Sequence, residues 1–151
     1  MKKLIGCFCG LLLVLSLVTG AVAEECVQGI TWLSQDKSAA LWVLDCTDDA
    51  TNNIASVAMT DTIFSKLRGY FLYQATVDPG ATLPDANYDI VLTVAGGTTN
   101  LLGTDLSALS QTLTLKTVLS STLAIDELLY FATTDQTVDS ALFTVEFLCV
   151  K

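Results

Sequence analysis

The sequence predicts an all-β protein: a single β-sandwich or jelly-roll-like domain of about eight antiparallel strands, with one or two short helical turns. Three observations carry that reading. Apolar and polar residues alternate at a period close to two over most of the chain, as they do along a strand with one buried face. Nineteen threonines follow residue 23, and β-branched side chains suit a pleated surface. Turn signals recur at short intervals, with no amphipathic stretch long enough for a core helix. A chain of 151 residues allows one domain.

Residues 1–23 read as a secretory signal, with Lys2 and Lys3 as the basic start, Leu11 to Leu15 as the apolar centre, and Ala21-Val22-Ala23 as the cleavage site. Cleavage there leaves a secreted domain of residues 24–151, periplasmic or extracellular, with no membrane attachment. The competing reading is an uncleaved anchor, since Leu4 to Ala23 is long enough to cross a bilayer. Only Met-Lys-Lys precedes Leu4-Ile5-Gly6-Cys7, so Cys7 is not expected to carry a lipid. Beyond residue 23 the chain has five basic and sixteen acidic side chains, a formal charge of −11. Lys37, Lys66, Arg68, Lys116 and Lys151 are scattered along it, so neither nucleic acid nor anionic membrane is expected as a partner.

The first element is a hairpin. Apolar runs Val27–Leu33 and Ala39–Leu44 flank the polar turn Ser34-Gln35-Asp36-Lys37. A turn centred on Asp36 sets Cys26 opposite Cys46, and antiparallel neighbours at a non-hydrogen-bonded pair lie about 4.5 Å apart at Cα, within disulfide range. The expected disulfide is therefore Cys26–Cys46, adding roughly 3 kcal/mol in the chain-entropy account. Cys149, in the apolar run Phe143–Val150, is expected as a buried free thiol. The alternative joins it to Cys26 or Cys46.

A strand is expected over Leu67–Val77, with Leu67, Phe71, Tyr73, Ala75 and Val77 on one face and Arg68, Tyr70, Leu72, Gln74 and Thr76 on the other. Asp78-Pro79-Gly80 ends it and Leu83 to Asn87 continues the loop. Tyr88–Val94 follows, its Tyr88, Ile90, Leu92 and Val94 sharing a face before the Gly96-Gly97 turn. Later strands are expected over Thr112–Leu119, Ser121–Ile125, Leu128–Thr133 and Ala141–Val150, the last with Phe143, Val145, Phe147 and Cys149 on one face. The two helical turns fall around Thr60–Lys66 and Thr104–Ser110, where Thr104 or Asp105 would cap.

Chemistry-bearing patterns are sparse. The chain has no histidine, which removes serine and cysteine triads and histidine-bearing zinc sites. Asp45, Asp48, Asp49, Asn52 and Asn53 offer oxygens to Ca²⁺, yet without the internal glycine and terminal glutamate of a calcium loop they read as a solvated turn. Asp85/Asp89 and Asp126/Glu127 have the look of glycosidase pairs, but sixteen acids yield such pairs by chance, and neighbours in a strand point to opposite faces. Trp32, Trp42, Tyr70 and Tyr73 would make a carbohydrate-stacking platform if exposed, and core if buried. No catalytic residue, cofactor or metal site is expected.

One stretch has a likeness. Gly69-Tyr70-Phe71-Leu72, Thr76-Val77-Asp78-Pro79-Gly80, Pro84-Asp85-Ala86-Asn87-Tyr88-Asp89-Ile90-Val91-Leu92, Gly97 and Leu101-Leu102-Gly103 resemble small phage and prophage proteins, and Leu123–Val150 resembles their closing pair of strands. The resemblance covers about half of the chain beyond residue 23 and implies a β-rich protein of virion assembly or decoration, with no catalytic residue to carry over. Behind a secretion signal, it implies an exported structural or interaction protein, a subunit of a surface assembly or filament whose partners are proteins or copies of itself. The alternative is a periplasmic or extracellular binding module for calcium or a glycan. The intact mass of the exported protein is expected to begin at Glu24 and to be two hydrogens lighter than after reduction; a product retaining Met1 would instead mark an anchored domain.

Overall fold

A computed structural model describes residues 25–48, 53–138 and 140–151; the signal-segment reading of residues 1–23 lies outside them. The chain is a β-sandwich of two antiparallel sheets. Among the described residues its strands are β1 (Glu25–Trp32), β2 (Ala39–Thr47), β3 (Val57–Ala58), β4 (Phe71–Pro79), β5 (Asp89–Val94), β6 (Leu115–Ala124), β7 (Leu129–Thr134) and β8 (Leu142–Val150), with one helix, α1 (Asp61–Leu67). The larger sheet runs β1-β2-β8-β4-β6 and the smaller β3-β7-β5.

The hairpin forms as its residues dictate. Leu33 N–H donates to Ala39 O and Lys37 N–H to Ser34 O, closing the turn, and Cys26 pairs with Cys46 in register. Alternation then buries one face of each inner strand. Ala40, Trp42, Leu44 and Cys46 of β2 and Phe143, Val145, Phe147 and Cys149 of β8 lie in the core. From the smaller sheet, Ile90 and Leu92 of β5 and Leu129 and Phe131 of β7 meet them. Trp42 stacks on Phe147 with ring centroids 5.3 Å apart. Tyr88, just before β5, packs on Phe143 of the opposite sheet at 5.7 Å. Each such large apolar side chain contributes roughly 1.5–3 kcal/mol by leaving water.

Helix α1 matches the first expected helical turn. Thr60 has extended backbone (φ −68°, ψ 147°) and its hydroxyl accepts the Ile63 N–H, the usual way of satisfying an orphan donor. Ile63 and Leu67 are buried. Gly69, at φ +82°, turns the chain into β4, a backbone state that glycine adopts without penalty. The second expected turn, Thr104–Ser110, is no helix: a turn runs through Leu106 and is followed by an isolated bridge of Leu109 to Tyr88. There the Asp105 carboxylate accepts the Ser120 N–H (2.6 Å) and hydroxyl (2.9 Å), pinning the loop to β6.

Three strand expectations are corrected, and one strand appears that the sequence does not signal. Leu67 belongs to α1, and β4 begins at Phe71. In β4 the buried residues are Leu72, Ala75 and Val77, whereas Phe71 and Tyr73 are each 43% exposed. The pairing shifts between Leu72 and Gln74, so Tyr73 is an extra residue that switches which face looks inward. Strict period-two counting across a bulge therefore assigns half the strand to the wrong side. The expected strands Thr112–Leu119 and Ser121–Ile125 are one, β6, whose ladder to β4 runs from Leu123 to Val118 with the residues between them unpaired. Finally, β3, only two residues long, carries no periodicity to read.

Where β4 ends, Gly80 N–H donates to Leu142 O at 2.7 Å. A Cβ at Gly80 would lie 2.7 Å from Leu142 Cβ and 2.9 Å from its carbonyl oxygen, so only glycine lets the two backbones meet. Gly80→Ala is expected to cost about 1–3 kcal/mol, as overpacking does, read as a lowered urea midpoint; an unchanged midpoint would show that the loop yields freely.

Candidate functional site

The site residues expected from sequence separate into three groups. Cys26 and Cys46 form the disulfide, with Cα atoms 4.1 Å apart. It suggests an oxidising, non-cytoplasmic environment. Among the described residues no helix is long and apolar enough to cross a membrane. Cys149 is free and fully buried, its thiol facing the Phe147 carbonyl at 3.5 Å. Burial pushes that thiol up to about 12 and does the same to the Tyr88 phenol.

The acidic residues tie strands and loops to one another. Asp45 accepts the Thr144 hydroxyl at 2.8 Å, Asp78 that of Thr114 at 2.5 Å, and Asp89 the Ala108 N–H at 2.7 Å. Asp85 accepts both the N–H and the hydroxyl of Thr137. Buried Gln136 accepts the Asp85 N–H at 2.7 Å and donates its own N–H to Asn53 at 3.0 Å. Asp126 and Glu127 are exposed in the turn from β6 to β7, outside any strand. Of the calcium candidates, Asp48 is buried, Asn53 serves Gln136, and Asp49 and Asn52 lie outside the described residues. Among the described residues no three acidic or cysteine side chains are grouped to hold a metal ion.

The aromatic residues divide. Trp42 is core, and Tyr73 projects from the opposite face of β4. Trp32 and Tyr70 come together, with ring centroids 6.2 Å apart and planes tilted by 54°. Around them the fold reverses an expectation: the basic residues, scattered in sequence, gather in space. Lys37, Lys66, Arg68 and Lys151 line one cavity of about 430 Å³ with Trp32, Asp36, Ser65 and Tyr70.

Three backbone arrangements cause this. The β1–β2 turn presents Asp36 and Lys37, and the Tyr70 hydroxyl donates to the Lys37 carbonyl. The end of α1 presents Ser65 and Lys66, with Arg68 as its C-cap, cations that also complement the negative end of the helix dipole. The end of β8 is held by Lys151 N–H donating to Ser38 O at 2.9 Å. Two of these cations lie against rings of the cavity wall, Lys37 Nζ 5.5 Å from the Trp32 centroid and Lys151 Nζ 5.8 Å from that of Tyr70; Arg68 covers Phe64 at 5.9 Å. Hydrogen bonds from Ser34 and Ser38 hold the Asp36 carboxyl below its usual range. Ser38 supplies its N–H at 3.1 Å and its hydroxyl at 2.8 Å. A second, more apolar hollow of about 370 Å³, lined by Trp32, Leu33, Ser34, Gln35 and Lys37, adjoins the first across Trp32. The sequence places only Trp32 and Lys37 near each other, Lys37 in the predicted turn and Trp32 just before it; their approach to Arg68 and Lys151 depends on tertiary contacts.

No protein-family model, curated protein or solved structure matches this chain.

An alkaline limit on stability follows from the two buried groups. In the unfolded chain the Cys149 thiol ionises near 9.0 and the Tyr88 phenol near 10.0; in the fold both hold their protons to about 12. Rising pH therefore favours the unfolded chain, so their contribution is complete below pH 9 and is lost towards pH 12. Between pH 8 and 10.5 the thiol alone is expected to cost about 2 kcal/mol. Urea midpoints at those two pH values would read it, and Cys149→Ala should flatten the early part of the fall.

Proposed function

We propose that this chain is a non-enzymatic exported structural protein that assembles with copies of itself through the β1 edge of its larger sheet. The observation that carries the reading is the condition of that edge. The short Cα separation of Cys26 and Cys46 marks a non-hydrogen-bonded pair. By alternation, Val27, Gly29 and Thr31 direct their main chain to β2, as Leu33 does. Cys26, Gln28, Ile30 and Trp32 direct theirs outward, and among the described residues those groups meet no backbone partner. An open row of donors and acceptors is a template for another strand.

The two edges of the sheet contrast. At the far edge, β6 is interrupted, carries Lys116, and has its Ser120 N–H taken by Asp105, all devices that blunt an edge. In β1 there is no proline, no lysine and no register shift, and Val27 is 59% exposed. The strand is also stiff, held to β2 by the disulfide and to the segment 58–60 by Gln28. The Gln28 amide donates to Ala58 O at 2.7 Å and accepts the Thr60 N–H at 3.3 Å. Two copies joined β1 to β1, antiparallel, would share a two-fold axis and close as a dimer. The signal-like start and the phage-like middle support export and assembly respectively.

Light scattering and sedimentation of residues 24–151 are expected to give an even-numbered assembly. Val27→Lys and Ile30→Pro, which charge the edge and remove an outward donor, should each raise the dissociation constant at least tenfold. A wild-type protein that stays monomeric at millimolar concentration would overturn the reading.

A further inference from the structure

We propose that the cavity between the β1–β2 turn, the end of α1 and the end of β8 binds an acidic saccharide, a uronate-bearing mono- or disaccharide. The site meets the outward edge of β1 only at Trp32, the last residue of that strand, and its cations come from the β1–β2 turn, α1 and the end of β8, so the proposal does not rest on the assembly reading. It begins with an electrostatic anomaly. Beyond residue 23 the chain carries sixteen acidic side chains and five basic ones, yet four of the five line this one hollow. Among the described residues that line it, Asp36 is the sole acidic side chain. Helix-dipole complementation accounts for Lys66 and Arg68, but not for Lys37 or Lys151, which arrive from the far ends of β1–β2 and β8.

The surroundings select the kind of anion. A net charge of −11 beyond residue 23 repels an extended polyanion such as nucleic acid or an anionic bilayer, so the ligand must carry its charge compactly. A volume of about 430 Å³ lies in the range of small-molecule sites. Arg68 offers a planar fork that meets a carboxylate through two parallel hydrogen bonds, with Lys66 and Lys151 as point charges beside it. What distinguishes a sugar acid from a bare anion is Trp32. Its ring borders both the basic hollow and the adjoining apolar one, so a pyranose ring lying on the indole would place its carboxylate among the cations and a second sugar over Leu33. The Ser65 hydroxyl and the Asp36 carboxylate, kept ionised by Ser34 and Ser38, are positioned to meet sugar hydroxyls.

The test is calorimetric titration of residues 24–151 with digalacturonate, with the neutral disaccharide of the same linkage, with sulfate and with a short oligoglutamate. The expected result is binding of digalacturonate at least tenfold tighter than each of the others. Arg68→Gln and Lys151→Gln should each weaken it about tenfold, Trp32→Ala should reduce digalacturonate to the level of sulfate, and Lys116→Gln, which changes the cation outside the hollow, should leave it intact. All these side chains are exposed or half-buried, and thermal melts confirm that each variant folds. No heat with digalacturonate at 10 mM, equal affinity for sulfate or oligoglutamate, or indifference to Arg68→Gln would each overturn the proposal. None of these outcomes depends on oligomeric state, which sedimentation reads separately.

Discussion

The last strand of the chain is the middle strand of its larger sheet, and the rest of the sandwich depends on that insertion. Strand β8 hydrogen-bonds to β2 on one side and to β4 on the other. Its Phe143, Val145, Phe147 and Cys149 are all but sealed from water, and they supply the floor on which Tyr88 and the smaller sheet rest. Without β8, β2 and β4 would be two open edges with their buried faces in water. Cooperative stability thus rests on pairings between residues some hundred positions apart, such as Asp45 with Thr144, a non-local topology that folds slowly relative to helical domains of the same size.

How much of this was legible from residues alone follows the range of the interactions concerned. The β1–β2 hairpin and its disulfide are local: a polar turn and two apolar runs determine the register, and the cysteines fall opposite each other once the turn is centred. The cap at Thr60 and the alternation of β5, β7 and β8 are local too. Tyr73 escapes a period-two reading because one unpaired residue inverts the inside and outside of everything beyond it, and a bulge leaves no mark in composition. The break in β6 falls where the sequence places a strand boundary, because an interrupted ladder and a short turn have the same sequence signature. The basic cavity was invisible for a different reason. It joins residues 37, 66, 68 and 151 through tertiary contacts, and no spacing rule connects them.

The distribution of charge has a structural logic on both sides. The aspartates are mostly engaged in short-range tasks, each accepting from a threonine, a serine or a backbone N–H of a neighbouring loop or strand. Loops in a chain with so few glycines and prolines are thereby tied to the sheets by side-chain hydrogen bonds, which for charged acceptors are worth about 1.5–3 kcal/mol where water is excluded and less at the surface. Three of the cations, Lys37, Arg68 and Lys151, by contrast rest against ring faces of Trp32, Phe64 and Tyr70, which holds their charged groups near the cavity while leaving hydrogens for other partners.

The position of the free thiol has a consequence for how the disulfide is kept. Cys26 and Cys46 face each other across one local hairpin, 20 residues apart in sequence, whereas the strand that carries Cys149 occupies the middle of the sheet and its sulfur is fully enclosed. A thiol sealed in this way has no path to the bridge, so the depth of β8 withholds the spare sulfur from exchange for as long as the fold persists.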